Sequence, residues 1–410
     1  MSDLYFQRYA YHKRFVVQPI KEETFICVVI PVYKENDLLP TLGALIECEK
    51  TQFPVEIIFV INHPENSKPQ EKEKSLRSVV QIEEFVKNHN SELTFHIIKA
   101  YDLPSKKAGV GLARKIGMDE AAFRLNSINQ DGVILCFDAD SQCTPNYLRE
   151  VEKHFLEYSN CNGASIHYEH PLYLENGKLN DAIVLYELHL RYYIQALKYT
   201  GYPFAFHTIG SSMAVRSTVY QKQGGMNQRK AGEDFYFLHK IIPLGDFHNI
   251  STTKVIPSAR ISDRVPFGTG RAMKEHQDQT KDLELSYDFG SFSVIKSFLE
   301  EIERETTENL PNTVIKFLRE NNFLSELEKI QSQSKNANHF KERFFEWFNG
   351  FKMLKLVHFL RDNYFPEKPL ILDANQLLKE IGIIHQTELS ALELLERYRN
   401  LDKECTGFKQ

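Results

Sequence analysis

The chain has 410 residues, too many for one comfortable core, so a large domain plus a smaller one is expected. Its 42% apolar share describes an ordinary globular protein, and a formal net charge of -5 argues against a general nucleic-acid partner. No run approaches the roughly 18 to 20 continuous apolar residues of a transmembrane helix, and residues 1–15 lack the apolar segment of a secretory signal, so the expectation is a cytoplasmic protein.

Taken in chain order, the first half alternates strand-like and helix-like segments. Residues 24–33, TFICVVIPVY, read as an apolar strand, and 35–50 as a helix despite Pro40 near its start. Residues 55–62, VEIIFVIN, are a second strand, followed by a polar loop and a helix over 72–89. Residues 93–102 are a third strand, 109–126 a helix, and 132–137, GVILCF, a fourth strand after the turn signal NQDG. Such alternation predicts an α/β fold with a mostly parallel sheet covered by helices. Right-handed crossovers would then bring Tyr33 to Asn36, Asn62 and Asp138 to Asp140 to one rim. Further on, 181–199 is a tyrosine-rich helix, and from about Ser291 helical periodicity takes over in 314–330, 339–365 and 374–401. The expected division is residues 1–290 and a C-terminal helical domain over 291–410.

The fourth strand runs without polar alternation straight into Asp138 and Asp140. Open α/β sheets collect ligands at the carboxyl ends of their strands, and two carboxylates this close repel unless water or a cation intervenes. Alone, the pair reads more simply as a solvated loop before the next helix, since D-x-D occurs often by chance. The six cysteines, Cys27, Cys48, Cys136, Cys143, Cys161 and Cys405, lack C-x-x-C spacing, which suggests neither a zinc site nor a disulfide framework and fits reduced thiols.

Five segments, in order, together resemble the glycosyltransferase family 2 catalytic domain of GT-A fold: VVIPVYKENDLL, KAGVGLARKIGMDEA, LCFDADS, IGSSMAVRSTVYQKQGGM and AGEDFYFLHKI. The resemblance covers residues 25–242. It implies a GT-A sheet, a nucleotide-sugar donor and a single sugar moved per encounter, since the membrane helices and Q-x-x-R-W segment of processive relatives are absent. By the resemblance, Asp140 is the main ligand of a divalent metal (Mn²⁺ or Mg²⁺), and Asp138 reaches the ribose or the metal through water. Paired carboxylates are hard oxygen ligands suited to such ions. The D of the family's E-D pair falls on Asp234, the expected base for the acceptor hydroxyl, with Glu233 beside it contacting the acceptor or positioning the helix. A helix N-terminus also favours acids for its dipole alone.

The resemblance further places Val32, Tyr33 and Glu35 in the base and ribose pocket. Asn62 stands where the family has a base-reading acid, so a UDP preference does not carry over, and UDP- and GDP-sugars both stay open. Lys107 and Arg114 suit the donor phosphates. Residues 258–276, with Arg260, Arg264, Arg271 and two glycines, read as a lid over the diphosphate. His276 or His248 from this part of the chain would complete the metal shell. The acceptor is expected to be a glycan, a lipid-linked sugar or a small molecule. The aromatic segment 344–360, with Lys352 and Lys355, fits a helical bundle or a homodimer interface more simply than a membrane surface. A sugar nucleotidyltransferase and a non-catalytic binding protein of the same fold are the alternatives.

Overall fold

A computed structural model of the chain describes residues 2–11, 13–262, 264, 268–304 and 306–404. Cys405 lies outside them. The described chain divides into two compact units, 1–179 with 208–277 and 402–410, and 180–207 with 278–401.

The first unit is built on a sheet whose strands are β1 (Ile26–Val32), β2 (Val55–Pro64), β3 (Thr94–Leu103), β4 (Val133–Cys136), β5 (Gln142–Cys143), β6 (Gly163–Tyr168), β7 (Met213–Arg216) and β8 (Phe247–Ile256). Their spatial order is β3-β2-β1-β4-β7-β6-β8-β5. The first four run parallel, with Ile26 opposite both Val55 and Val133. This is the arrangement expected of continuous apolar runs, because a strand covered on both faces has no use for polar alternation. Beyond β4 the sheet turns mixed. β7 is antiparallel to β4 and to β6, β8 is parallel to β6, and β5 is antiparallel to β8. Strands β6 and β8 were not evident from the sequence.

From β1 the chain steps outward through β2 to β3, then crosses back to place β4 on the other flank of β1. The connection therefore changes direction between β1 and β4, and at such a switch point the strand ends part to leave a crevice. The helix Val110–Ser127 makes that crossing and packs on β1 and β2. It is buried on nearly every side, so its charged residues are paired. Arg124 grips Glu56 with two 2.6 Å bonds. Asp119 accepts from Tyr5 and Tyr220 hydroxyls at 2.5 Å and from the Tyr11 amide at 2.6 Å. The segment up to Tyr11 is thus fastened across this helix.

The second unit is helical. It gathers Asp181–Tyr199 with Phe289–Glu303, Asn312–Glu320, Phe323–Gln333, Ala337–Trp347, Gly350–Asn363, Leu370–Glu380 and most of Ala391–Glu404. The helix over 181–199, which the sequence puts ahead of a boundary near 290, groups here. Of its tyrosines, Tyr192 is a core group, fully buried with its hydroxyl donating to the Tyr287 carbonyl at 2.9 Å, while Tyr186, Tyr193 and Tyr199 are half-buried. Phe344, Phe348, Met353 and Leu356 are buried within the same unit, so this stripe is spent on the bundle. The three expected long helices are each broken in two. Asn322 takes a left-handed conformation (φ 54°) between the first pair, the Asn349 side chain caps the second member of the next, and Gly382 (φ 74°) follows Leu370–Glu380 in the third. No helix among the described residues is long and apolar enough to cross a membrane.

Candidate active site

Val32 ends β1 in the core, and Tyr33 and Glu35 follow it into the crevice. On the facing side β4 ends at Cys136, and Asp138 and Asp140 leave it half-buried. Their loop is held firmly: the Ser141 amide donates to the Asp138 carbonyl at 3.0 Å, and the Thr41 hydroxyl lies 2.9 Å from the carbonyls of both Ala139 and Ser141. The convergence expected from the crossovers is therefore present.

Arg114, in the second turn of its helix, is the centre of this crevice. It is buried, donates to Asp138 Oδ1 at 2.6 Å, and bonds Glu233 Oε1 through its other terminal nitrogen. Glu233 and Asp234 open the helix Glu233–Ile241, where the dipole supports acids. Backbone amides of Phe235 and Gly210 hydrogen-bond the Asp234 carboxylate, the former at 2.8 Å. One guanidinium now faces three carboxylates, Asp138, Glu233 and Asp234, so charge is not balanced inside the site. Burial raises the Glu233 carboxyl from 4.5 to about 7, against the pull of Arg114, and burial raises Asp234 in the same direction. Arg114 itself is driven up by Asp138 and Glu233 despite the opposing effect of burial.

Two glycines make this packing possible. A Cβ on Gly210 would fall 2.3 Å from Arg114 Nη1 and 2.6 Å from its Cζ. A Cβ on Gly111 would fall 2.2 Å from the Arg229 carbonyl oxygen, so the helix start can approach the 229–233 loop only without a side chain there.

A second charge cluster lies on Asp140. Arg260 holds Glu35 with bonds of 2.5 and 2.6 Å and reaches Asp140 Oδ2 at 2.7 Å. Arg264 joins Glu35 at 2.6 Å, Asp140 Oδ2 at 3.2 Å and the Tyr33 carbonyl at 3.1 Å. Burial would raise Glu35, but hydrogen bonds from the two arginines hold it below its usual range. Burial pushes Asp140 upward in spite of Arg260. The basic segment expected to close over the site thus reaches it, with Glu35 paired to the arginines.

The other expected site residues fall differently. Asn62 is buried, and its amide nitrogen donates to the carbonyls of Val32 at 2.9 Å and Val60 at 3.3 Å. Its donor is therefore used to brace β2 against β1, and Oδ1 alone remains for a ligand. Lys107 is exposed in the turn before the helix, and its side chain pairs with no carboxylate among the described residues. His276 ends the helix Thr269–Gln277 and, among the described residues, joins no cluster of three metal-ligating groups with Asp138 and Asp140. His248 lies at the amino end of β8, on the opposite rim of the sheet, and is corrected as a ligand here.

Asp138 and Asp140 themselves fit a hard divalent cation. Asp138 Oδ2 and Asp140 Oδ1 each stand outside any hydrogen bond or ion pair among the described residues. Two such oxygens complete their set with phosphate and water ligands, as Mg²⁺ commonly does. Sequence reading missed the Arg260–Glu35 bond, whose partners are 225 residues apart, and the part played by Gly210. The conspicuous IGSS stretch was the only signal for the latter.

Residues 27–222 match Glycosyl transferase family 2. No curated protein matches the chain. Among solved structures, S. aureus TarS 1-349 in complex with UDP-GlcNAc aligns at 14% identity with a TM-score of 0.40, covering 82% of this chain and 90% of that one. S. aureus TarS 1-349 in complex with UDP aligns at 13% identity and TM-score 0.38, covering 90% and 94% respectively.

Proposed function

From the match of residues 27–222 to Glycosyl transferase family 2, we propose that the chain moves one sugar from a nucleotide-sugar donor to an acceptor hydroxyl, with inversion and with Asp234 as the base. The observation that carries this reading is Arg114, bonded at once to Asp138 at the β4 exit and to Glu233 beside Asp234. One buried cation thereby couples the side where a diphosphate would leave to the side where an acceptor would lose its proton.

In the reaction, the acceptor oxygen forms a bond to the anomeric carbon while the bond from that carbon to the diphosphate oxygen breaks. The acceptor proton passes to Asp234, whose carboxylate is aimed by the amides of Phe235 and Gly210. Glu233, raised to about 7, supports the neighbouring carboxylate best when it holds a proton itself. A Mg²⁺ or Mn²⁺ ion on Asp138 and Asp140 would supply positive charge for the leaving diphosphate. Arg260 and Arg264 both bond Asp140 Oδ2 and can exchange it for phosphate, giving the departing group fixed donors. Val32, Tyr33, Glu35 and the Asn62 carbonyl line the end where the base and ribose would lie. UDP- and GDP-sugars are the first donors to try, with glycan, lipid-linked and small-molecule acceptors.

The test is a thermal-shift panel of UDP, GDP, CDP, dTDP and their sugars with and without Mn²⁺. A ligand at a hundredfold excess over its Kd adds about 2.7 kcal/mol to the native state, which is readily seen. One nucleotide shifting the midpoint only with metal is the expected result. No shift with any of them overturns the donor site and leaves a binding protein of the same fold.

A further inference from the structure

Three metal-ligating side chains converge on the rim opposite the crevice. His154 lies in the last turn of the helix Tyr147–Glu157, Cys161 follows four residues after that helix, and His248 is the second residue of β8. Their donor atoms all lie within 4.8 Å of one another, and His154 Nε2 is 3.0 Å from His248 Nδ1. They are the one such group of three among the described residues. The placement follows from the sheet: β8 is parallel to β6, β6 and β4 are both antiparallel to β7, and so the amino end of β8 is remote from the β4 exit that carries Asp138 and Asp140.

We infer that His154, Cys161 and His248 form a second metal site, built for a borderline-soft divalent cation, Zn²⁺ before any other. The donor set decides the class. Two imidazoles and a thiolate suit zinc, whereas the carboxylates across the sheet suit Mg²⁺ or Mn²⁺. Zinc takes nitrogen at about 2.0–2.1 Å and sulfur at about 2.3 Å, which puts its donors roughly 3.3–3.8 Å apart. The observed cluster reaches that spacing by small side-chain turns.

The surroundings favour it. Tyr158 lays its ring 4.8 Å from His154 and 5.1 Å from His248, walling one side. Cys161 is wholly buried, with its sulfur 3.3 Å from the Gly163 carbonyl, while the two histidines are only half-buried and leave a path for a cation and for a fourth ligand from water. The nearby charges are Arg216, whose guanidinium is engaged by the carbonyls of Phe155, Tyr158 and Cys161, and Asp246, which acts on both His248 and Cys161. Binding moves the Cys161 thiol proton to solvent and leaves a sulfur–metal bond. Such a bond would bolt the end of one helix and the start of β8 to the loop that leads into β6.

The experiment titrates chelator-treated full-length protein with Co²⁺ and then Zn²⁺. Cobalt on a thiolate gives a near-ultraviolet sulfur-to-metal band, which carboxylate sites do not. Expected is one equivalent of cobalt with that band, displaced by zinc, unchanged in the Asp138→Asn/Asp140→Asn protein, and weakened at least a hundredfold by His154→Gln or His248→Gln. Cys161→Ser should abolish the band. Should these variants fail to fold, the wild-type spectrum still decides. No thiolate band at stoichiometric cobalt, or a band unaffected by the three substitutions in folded protein, overturns the site and leaves a hydrogen-bonded histidine pair.

Discussion

Adding one methyl group at Gly210 is the sharpest perturbation of the candidate active site. Its backbone is not in the left-handed region, so alanine meets no conformational penalty there; the obstacle is Arg114, at 2.3 to 2.6 Å from the new carbon. An ordinary carbon contact needs about 3.5 Å or more, so the guanidinium must withdraw by about 1 Å. Its 2.6 Å bond to Asp138 then stretches past hydrogen-bonding range, and its bond to Glu233 suffers likewise. Depriving a buried carboxylate of its partner costs about 3–5 kcal/mol, and an overpacked core about 1–3 kcal/mol. Where the backbone yields in place of the guanidinium, the Gly210 amide moves away from Asp234. A misplacement of about 1 Å in a reacting group can cost about a hundredfold in rate. Gly210→Ala should therefore lower kcat for sugar transfer at least a hundredfold and lower the thermal midpoint, while circular dichroism shows a folded chain. In an Arg114→Lys background the same methyl should cost little more, because the group it strikes is gone. Wild-type turnover in Gly210→Ala, or effects of the two substitutions that simply multiply, would refute the packing argument.

Asp234→Asn should keep nucleotide binding and lower transfer by about 10²–10⁴-fold, the usual worth of a general base; full turnover by this variant would remove Asp234 from that role. The pH dependence follows from the raised carboxyls. Glu233 is raised from 4.5 to about 7 on folding, so between those values the folded chain holds a proton that the unfolded chain lacks. Its contribution to stability is complete below 4.5 and disappears as pH rises through about 7. The melting advantage of Glu233→Gln over wild type should accordingly grow from pH 4.5 to 8, and a constant difference contradicts the assignment. Because Asp234 is raised as well, kcat/KM should fall on the acid side at a pH above the ordinary carboxylate range of about 3.9. Chelation should stop transfer and Mn²⁺ or Mg²⁺ restore it. Asp140→Asn should raise the metal concentration for half-activation at least tenfold, whereas His154→Gln should leave that concentration unmoved.

What the sequence disclosed and what it withheld divide along physical lines. Strands β1, β2 and β4 could be read because a strand buried on both faces is mostly apolar, β3 at the sheet edge because His96, Ile98 and Ala100 alternate with more open positions, and Asp138 and Asp140 stood out because charge interrupts the β4 run. Strands β6 and β8, GASIHY and FHNISTTKVI, carry polar residues at many positions, so neither their period nor their composition marks them. The helix Val110–Ser127 was found, yet its burial was not foreseeable: Asp119, Glu120 and Arg124 look like a solvated face until their partners at Tyr5, the Phe15 and Val16 amides and Glu56 are known, and Arg114 was read for donor phosphates, not for Glu233 and Asp138. Asp234 and Glu233 were named from a motif, but Arg114 as the link between them and Asp138 needed three dimensions. Arg260 against Glu35, and His154 with Cys161 against His248, join residues too far apart in the chain for any spacing rule to register.

Asn62 alters how this protein's donor choice could be re-engineered. A designer wishing to impose another nucleotide would replace this residue with an acid, treating the position as a reader of the base. Yet its amide hydrogens face the carbonyl oxygens of Val32 and Val60, and an aspartate would set a carboxylate against both. The two strand ends would be pushed apart at the mouth of the crevice before any base arrived. On the function proposed above, the reading of the base and the rigidity of the joint between β1 and β2 fall to one side chain, and a change of substrate here must begin by rebuilding that joint.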